Sequence, residues 1–168
     1  LLRSLGATDL TSPVVLLGAD SHSKLETASA VCDRLDCTLY RLPIGTIPTD
    51  RGELEQLVRL WQRERALLPL ALYIDADDAD GPLADANRLL RSFLSRELGL
   101  VFMALPEPMP WSTTQALVVE VARPTAAEQH ARWRRALTPR LDKAAAEHAA
   151  SRLASQFDLN LHAIENAL

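Results

Sequence analysis

Short apolar runs alternate along this chain with stretches in which apolar side chains recur every three or four positions, the signature of a parallel sheet covered by helices. Val14–Gly18 is the first such run, and residues 24–35 then set Leu25, Ala28, Val31, Cys32 and Leu35 at helical spacing. Cys37–Leu42 returns as a second strand that Pro43 ends, and Asp50 is the expected N-cap of a helix aligning Leu54, Leu57, Val58 and Trp61. Leu70–Ile74 is continuously apolar, as a central parallel strand should be, and it runs into an acidic turn from Asp75 to Pro82. A helix opening at Pro82 runs to Leu98, Gly99 breaks it, and Leu100–Ala104 is the fourth strand. A proline-rich loop over 106–114 precedes the fifth strand, Ala116–Ala122. Beyond Arg123 the periodicity is only helical: one helix from Pro124 and Thr125, one over 141–156 and one from Leu161 to Leu168. These spacings predict an α/β core over 1–123 and a small all-helical subdomain over 124–168.

With 168 residues and 48% hydrophobic content the chain can bury one substantial core and a small appended unit. The net charge of −4 comes with no Lys/Arg stripe interleaved with aromatics, which argues against a nucleic-acid partner. No apolar run approaches the roughly 20 residues that span a bilayer, and the opening Leu-Leu-Arg-Ser-Leu-Gly lacks the layout of a secretory signal, so the expectation is a soluble, cytoplasmic protein without a membrane partner. Cys32 and Cys37 are expected to be reduced, because a chain of this size folds without staples. A start at Leu rather than Met suggests a piece of something longer.

The candidate chemistry sits after the first strand. A phosphate-binding loop has the pattern Gly, four residues, Gly-Lys, then Ser or Thr, with backbone N–H groups cradling phosphates and the hydroxyl holding Mg2+. Gly18 and Lys24 stand at that spacing, but Ser23 takes the place of the second glycine and Leu25 that of the hydroxyl. Lys24 is open to two readings, a phosphate contact or a solvent-facing lysine at a helix start. Asp75, closing the third strand, is either a metal ligand or an ordinary turn and cap residue. The cluster Asp75, Asp77, Asp78 and Asp80 fails the calcium-loop spacing, since Ala79 and Ala86 fall where ligands are required. His22 lies inside the loop, and His130, His148 and His162 fall on separate helices without zinc spacing to either cysteine. Trp61 and Trp133 belong to amphipathic helices and are expected to pack; Trp111 rides the proline-rich loop, either as a partner contact or as local packing.

Five alternating strands, a P-loop after the first, an acidic turn after the third and a helical lid after the fifth resemble the AAA+ ATPase family. The passage from Leu117 to Trp133 is similar to that family's crossing from last strand to first lid helix, and Leu153–Leu168 to its closing lid helices. The resemblance implies a P-loop NTPase-like five-stranded parallel sheet in the order 5-1-4-3-2, flanked by helices, with a C-terminal lid. It also implies ATP or ADP as the ligand of Gly18, Ser23 and Lys24, Asp75 as the Walker B aspartate that helps hold Mg2+, and other domains or subunits of an AAA+ assembly as partners.

Against that family pattern several working parts are missing. Ala76 stands where a glutamate would activate water, and the fourth strand ends Met103-Ala104-Leu105-Pro106 where a polar sensor is expected. Between Glu97 and Ala122 there is neither Arg nor Lys to act as an arginine finger, and His162 is the one cationic candidate for the second sensor in the last helix. Together these departures predict a degenerate, non-hydrolysing AAA+ module serving assembly or regulation within a larger ATPase. The competing reading is a divergent, active ATP-binding P-loop NTPase using Gly18, Lys24 and Asp75. A flavodoxin-like enzyme binding at the strand carboxyl ends is a third, against which the helical tail counts.

Overall fold

The computed structural model describes residues 12–77, 90–108 and 116–167. Contacts divide the chain into two compact units, Leu1–Val121 and Ala122–Leu168. The first holds strands β1 (Val14–Leu17), β2 (Thr38–Pro43), β3 (Leu70–Asp75), β4 (Val101–Leu105) and β5 (Leu117–Glu120). Its helices are α1 (Ser21–Leu35), α2 (Arg51–Leu67) and α3, helical over 90–94. All pairings are parallel, and the order β2-β3-β4-β1-β5 is the one the family resemblance implies, counted from the other edge.

Burial follows strand position. Every residue of β1, β3 and β4 is buried, whereas the edge strands β2 and β5 are partly exposed. Because successive side chains point to opposite faces, Val15, Leu17, Leu72, Ile74 and Met103 pack with Leu54 and Val58 of α2 and Phe93 of α3. Val14, Leu16, Tyr73, Phe102 and Ala104 meet Ala28 and Cys32 of α1 on the other face. Trp61 packs as expected: it is half-buried, donates its indole N–H to the Leu98 carbonyl at 2.9 Å, and stacks edge-on against Tyr40.

Several boundaries differ from the spacing-based ones. α1 begins at Ser21 instead of residue 24, because the Asp20 side chain caps it by accepting the Ser23 N–H. Pro43 belongs to β2 rather than ending it, which an edge strand tolerates. β1 stops at Leu17, β5 covers four residues rather than seven, and α3 stops at residue 94, short of Leu98. The link into β4 turns at Gly99, whose φ of +78° favours glycine and whose added Cβ would lie 1.9 Å from the Arg65 guanidinium. Asp78, Asp80, the Pro82 helix start and Trp111 lie outside the described residues.

The second unit is a three-helix cluster of α4 (Ala126–Leu137), α5 (Lys143–Gln156) and α6 (Leu161–Asn166). Thr125 and Glu128 form a reciprocal capping box at the start of α4, and Asp142 and Asn160 cap α5 and α6. The core of this unit is small: Trp133, Ala150 and Ile164 cluster with Leu153, Ala154, Leu159 and Leu161 around them, and Leu137 and Ala146 are buried besides. The Trp133 indole N–H finds no hydrogen-bond partner.

Candidate functional site

In an open parallel sheet, ligands bind beyond the carboxyl ends of the strands, where neighbouring connections diverge. Here that end gathers Gly18 after β1, Lys24 on α1, Arg41 on β2, Asp75 and Asp77 at the end of β3, and Leu105 closing β4. A cleft of about 620 Å3 lies at the opposite end, lined by Pro13, Cys37, Leu70 and Leu100 among others, and holds none of these groups.

Gly18 is fixed by crowding. Its φ is +153°, and a Cβ there would stand 2.2 Å from the Val121 carbonyl oxygen, so only glycine allows the chain to leave β1 beside the end of β5. The turn is then very short, and Asp20 begins the helix. Its carboxylate accepts the Ser23 backbone N–H at 3.2 Å and also the Ser23 hydroxyl. That amide belongs to the helix N-terminus, where a phosphate-binding loop presents donors to its ligand.

Lys24 is not the solvent-facing lysine of the second reading. It is fully buried, with 0% exposure, and lies beneath the turn rather than in solvent or in a free loop. Its ammonium donates to the Gly18 carbonyl at 2.7 Å, to the Leu105 carbonyl at 3.0 Å and to the Asp77 carboxylate in an ion pair. An ammonium carries three N–H donors, and three acceptors take them. Burying an unpaired charge is expensive, so the ion pair and carbonyls are what permit this placement.

Asp75 is similarly engaged. Its Oδ2 accepts from Arg41 Nε at 2.9 Å and from Arg41 Nη2, while its Oδ1 accepts the Asp77 N–H at 3.2 Å. Arg41 went unnoticed in the sequence; an arginine flanked by Tyr40 and Leu42 in an edge strand carries no motif, and only the register of β2 on β3, which sets Arg41 opposite Tyr73, brings it within reach of Asp75. The buried Tyr73 hydroxyl has no hydrogen-bond partner. Burial first, then the Asp75 and Asp77 carboxylates, push its phenol above the ordinary range, so it stays neutral.

The donors that would meet a phosphate are engaged within the chain. The Ser23 amide of the helix N-terminus faces Asp20, the three Lys24 donors go to protein acceptors, and Asp75 is held by Arg41 and the Asp77 N–H. Among the described residues no group of three or more His, Cys, Asp or Glu is arranged to hold a metal ion. Elsewhere, His130 meets Glu147 at 3.2 Å and Ser151 at 3.3 Å, but both through Nε2, so no proton relay runs through the ring.

With this geometry in hand, three comparisons bear on the chain. Residues 125–168 match the sequence model of the family described as contractile injection system ATPase helical domain. The fold matches the crystal structure of the FIGL-1 AAA domain in complex with ADP, with a TM-score of 0.64 and 17% sequence identity, over 95% of this chain. This chain spans 60% of the length of that one. No curated protein sequence matches it. The chain has the fold of an AAA domain, and its C-terminal helices match the contractile injection system ATPase helical-domain family.

Proposed function

We propose that this AAA+-related chain is a non-hydrolysing module that serves assembly or regulation within a larger AAA+ ATPase, one belonging to a contractile injection system. The observation that carries the proposal lies at the ends of β3 and β4. Ala76 donates its N–H to the Ala104 carbonyl at 3.2 Å, and both side chains are buried. Where an AAA+ enzyme is expected to keep its water activator and polar sensor, these two neighbouring strand ends carry only buried apolar side chains, Ala76 after β3 and Ala104 and Leu105 in β4. Phosphoryl transfer depends on positioning and electrostatics, and a missing general base alone forfeits about 10²–10⁴-fold in rate.

The partners in this reading are other domains or subunits of the same assembly, in the cytoplasm, with neither nucleic acid nor membrane involved. The acidic balance of 22 Asp and Glu against 18 Lys and Arg supports the first exclusion. No helix among the described residues is long and apolar enough to cross a membrane.

The competing reading, an active and divergent NTPase, draws on the AAA fold shared with a domain solved with ADP. It requires a hydroxyl to hold Mg2+, and Leu25 stands at the position that supplies it in the loop pattern. Phosphate release with ATP and Mg2+ separates the two. The expected rate equals that of buffer alone, and turnover that Lys24→Ala abolishes would overturn the proposal.

A further inference from the structure

We infer that this loop is filled from within: Asp20 at the first turn of α1 and Asp77 on the Lys24 ammonium take the positions of a nucleotide's phosphates and exclude them. The inference rests on reading Gly18, Ser23 and Lys24 as a vestigial nucleotide loop, and it concerns binding where the proposed function concerns hydrolysis.

The charges of this cluster are already matched without a ligand. Three carboxylates, Asp20, Asp75 and Asp77, answer the α1 amide, Arg41 and Lys24. A helix N-terminus attracts anions through its unpaired N–H groups and its dipole, and here the anion is supplied by the residue that starts the helix. Asp20 is 9% exposed, so its carboxylate occupies the space against the first turn instead of extending into solvent. Lys24 points inward, to the Gly18 carbonyl at 2.7 Å and the Leu105 carbonyl at 3.0 Å. For a phosphate to reach that ammonium, Asp77 would have to leave it. Asp77 has only 13% of its side chain exposed, so its carboxylate would be stranded partly buried, beside an incoming polyanion.

Although Gly18 and Lys24 keep the full phosphate-loop spacing, most of the loop's backbone is already helical. Where a phosphate loop needs backbone that curls around its ligand, this chain turns from β1 at Gly18, caps at Asp20 and is helical from Ser21. Early helix entry, the capping carboxylate and the buried lysine are therefore three aspects of one arrangement, and two side chains hold it.

Lysine chemistry reads this directly, because Lys24 and Lys143 are the only lysines in the sequence. Under native conditions an amine-acylating reagent, followed by peptide mass spectrometry, should modify exposed Lys143 at least about tenfold faster than Lys24. Equal rates would overturn the inference without any variant being made. Calorimetric titration with ATP gives the second arm. Wild type should show no binding at millimolar ATP, whereas the double variant Asp20→Gly, Asp77→Ala should bind at least about tenfold more tightly. Adding Lys24→Ala to it should remove that binding. Glycine is chosen at position 20 because it keeps most of the cap. A double variant with wild-type circular dichroism and no affinity for ATP would overturn the inference. So would wild-type protein that binds ATP as tightly as the variant; if it did so without releasing phosphate, the non-hydrolysing reading would still stand.

Discussion

Trp133→Ala should unfold the helical unit and leave the sheet intact. Trp133 is 4% exposed and is the largest member of a cluster whose other buried residues are Ala150 and Ile164. A buried tryptophan removes about 150–250 Å2 from water, worth roughly 4–6 kcal/mol at ~25 cal/mol per Å2. Truncations of this kind cost about 3–5 kcal/mol. A unit of roughly 50 residues carries only about 2–8 kcal/mol in total, so the loss consumes most or all of it. The indole N–H is unpartnered, and shedding it returns part of the roughly 1–3 kcal/mol of its desolvation. Trp133→Phe should therefore stay within about 1–2 kcal/mol of wild type. Native-state hydrogen exchange resolved by peptide is the assay. Protection of α4, α5 and α6 should fall by about two to three orders of magnitude in the alanine variant, with β3 and β4 unchanged. Unaltered protection in α4, or an equal loss in the sheet, would refute this reasoning.

Three further outcomes are expected. Gly18→Ala drives a methyl to 2.2 Å from the Val121 oxygen and forces apart the 2.7 Å bond from Val121 N–H to the Leu17 carbonyl. A lost hydrogen bond and backbone strain cost about 2–4 kcal/mol, or a Tm lower by roughly 5–15 °C; calorimetry within a degree of wild type would contradict the crowding. The Glu128 carboxyl is held below its ordinary value of 4.5 by hydrogen bonds from the Thr125 backbone and hydroxyl. Its contribution to the start of α4 is therefore complete above pH 4.5 and lost as pH falls through the lower folded value; an NMR titration midpoint at or above 4.5 would count against the capping box. Burial first, then its hydrogen bond with Cys37, pushes the Cys32 thiol up to about 12. At pH 8 a disulfide reagent should consume Cys37 alone, with Cys32 reacting only after denaturant is added, and a single fast phase for both thiols would be inconsistent with that burial.

The sheet was legible because its signal is local. Val14–Leu17, Leu70–Asp75 and Val101–Leu105 are apolar on both faces, as strands covered on both sides must be. The helical unit was legible from the helical periodicity beyond Arg123 and the start signal at Pro124 and Thr125, whereas the caps Asp142 and Asn160 emerge from the structure. The site was legible only in outline. Gly18, Lys24 and Asp75 could be found by spacing, but what each does depends on partners distant in sequence: Asp77 for Lys24, Arg41 for Asp75, Val121 for Gly18. One signal was present and overlooked. Asp20 three residues before Ser23 is an ordinary N-cap pattern, and it starts α1 at Ser21.

The sheet order also governs how the chain is made. β2 and β3 are near neighbours in sequence, and their pairing closes early. β1 lies between β4 and β5, with Val14 opposite Phe102 on one side and Leu117 on the other. During synthesis Val-Val-Leu-Leu therefore emerges long before either neighbour exists, and pairings of such long range belong to folds that form in about milliseconds to seconds rather than microseconds. A central strand made well before both of its neighbours gives the nascent polypeptide an interval in which this apolar segment depends on α1 or a chaperone for cover.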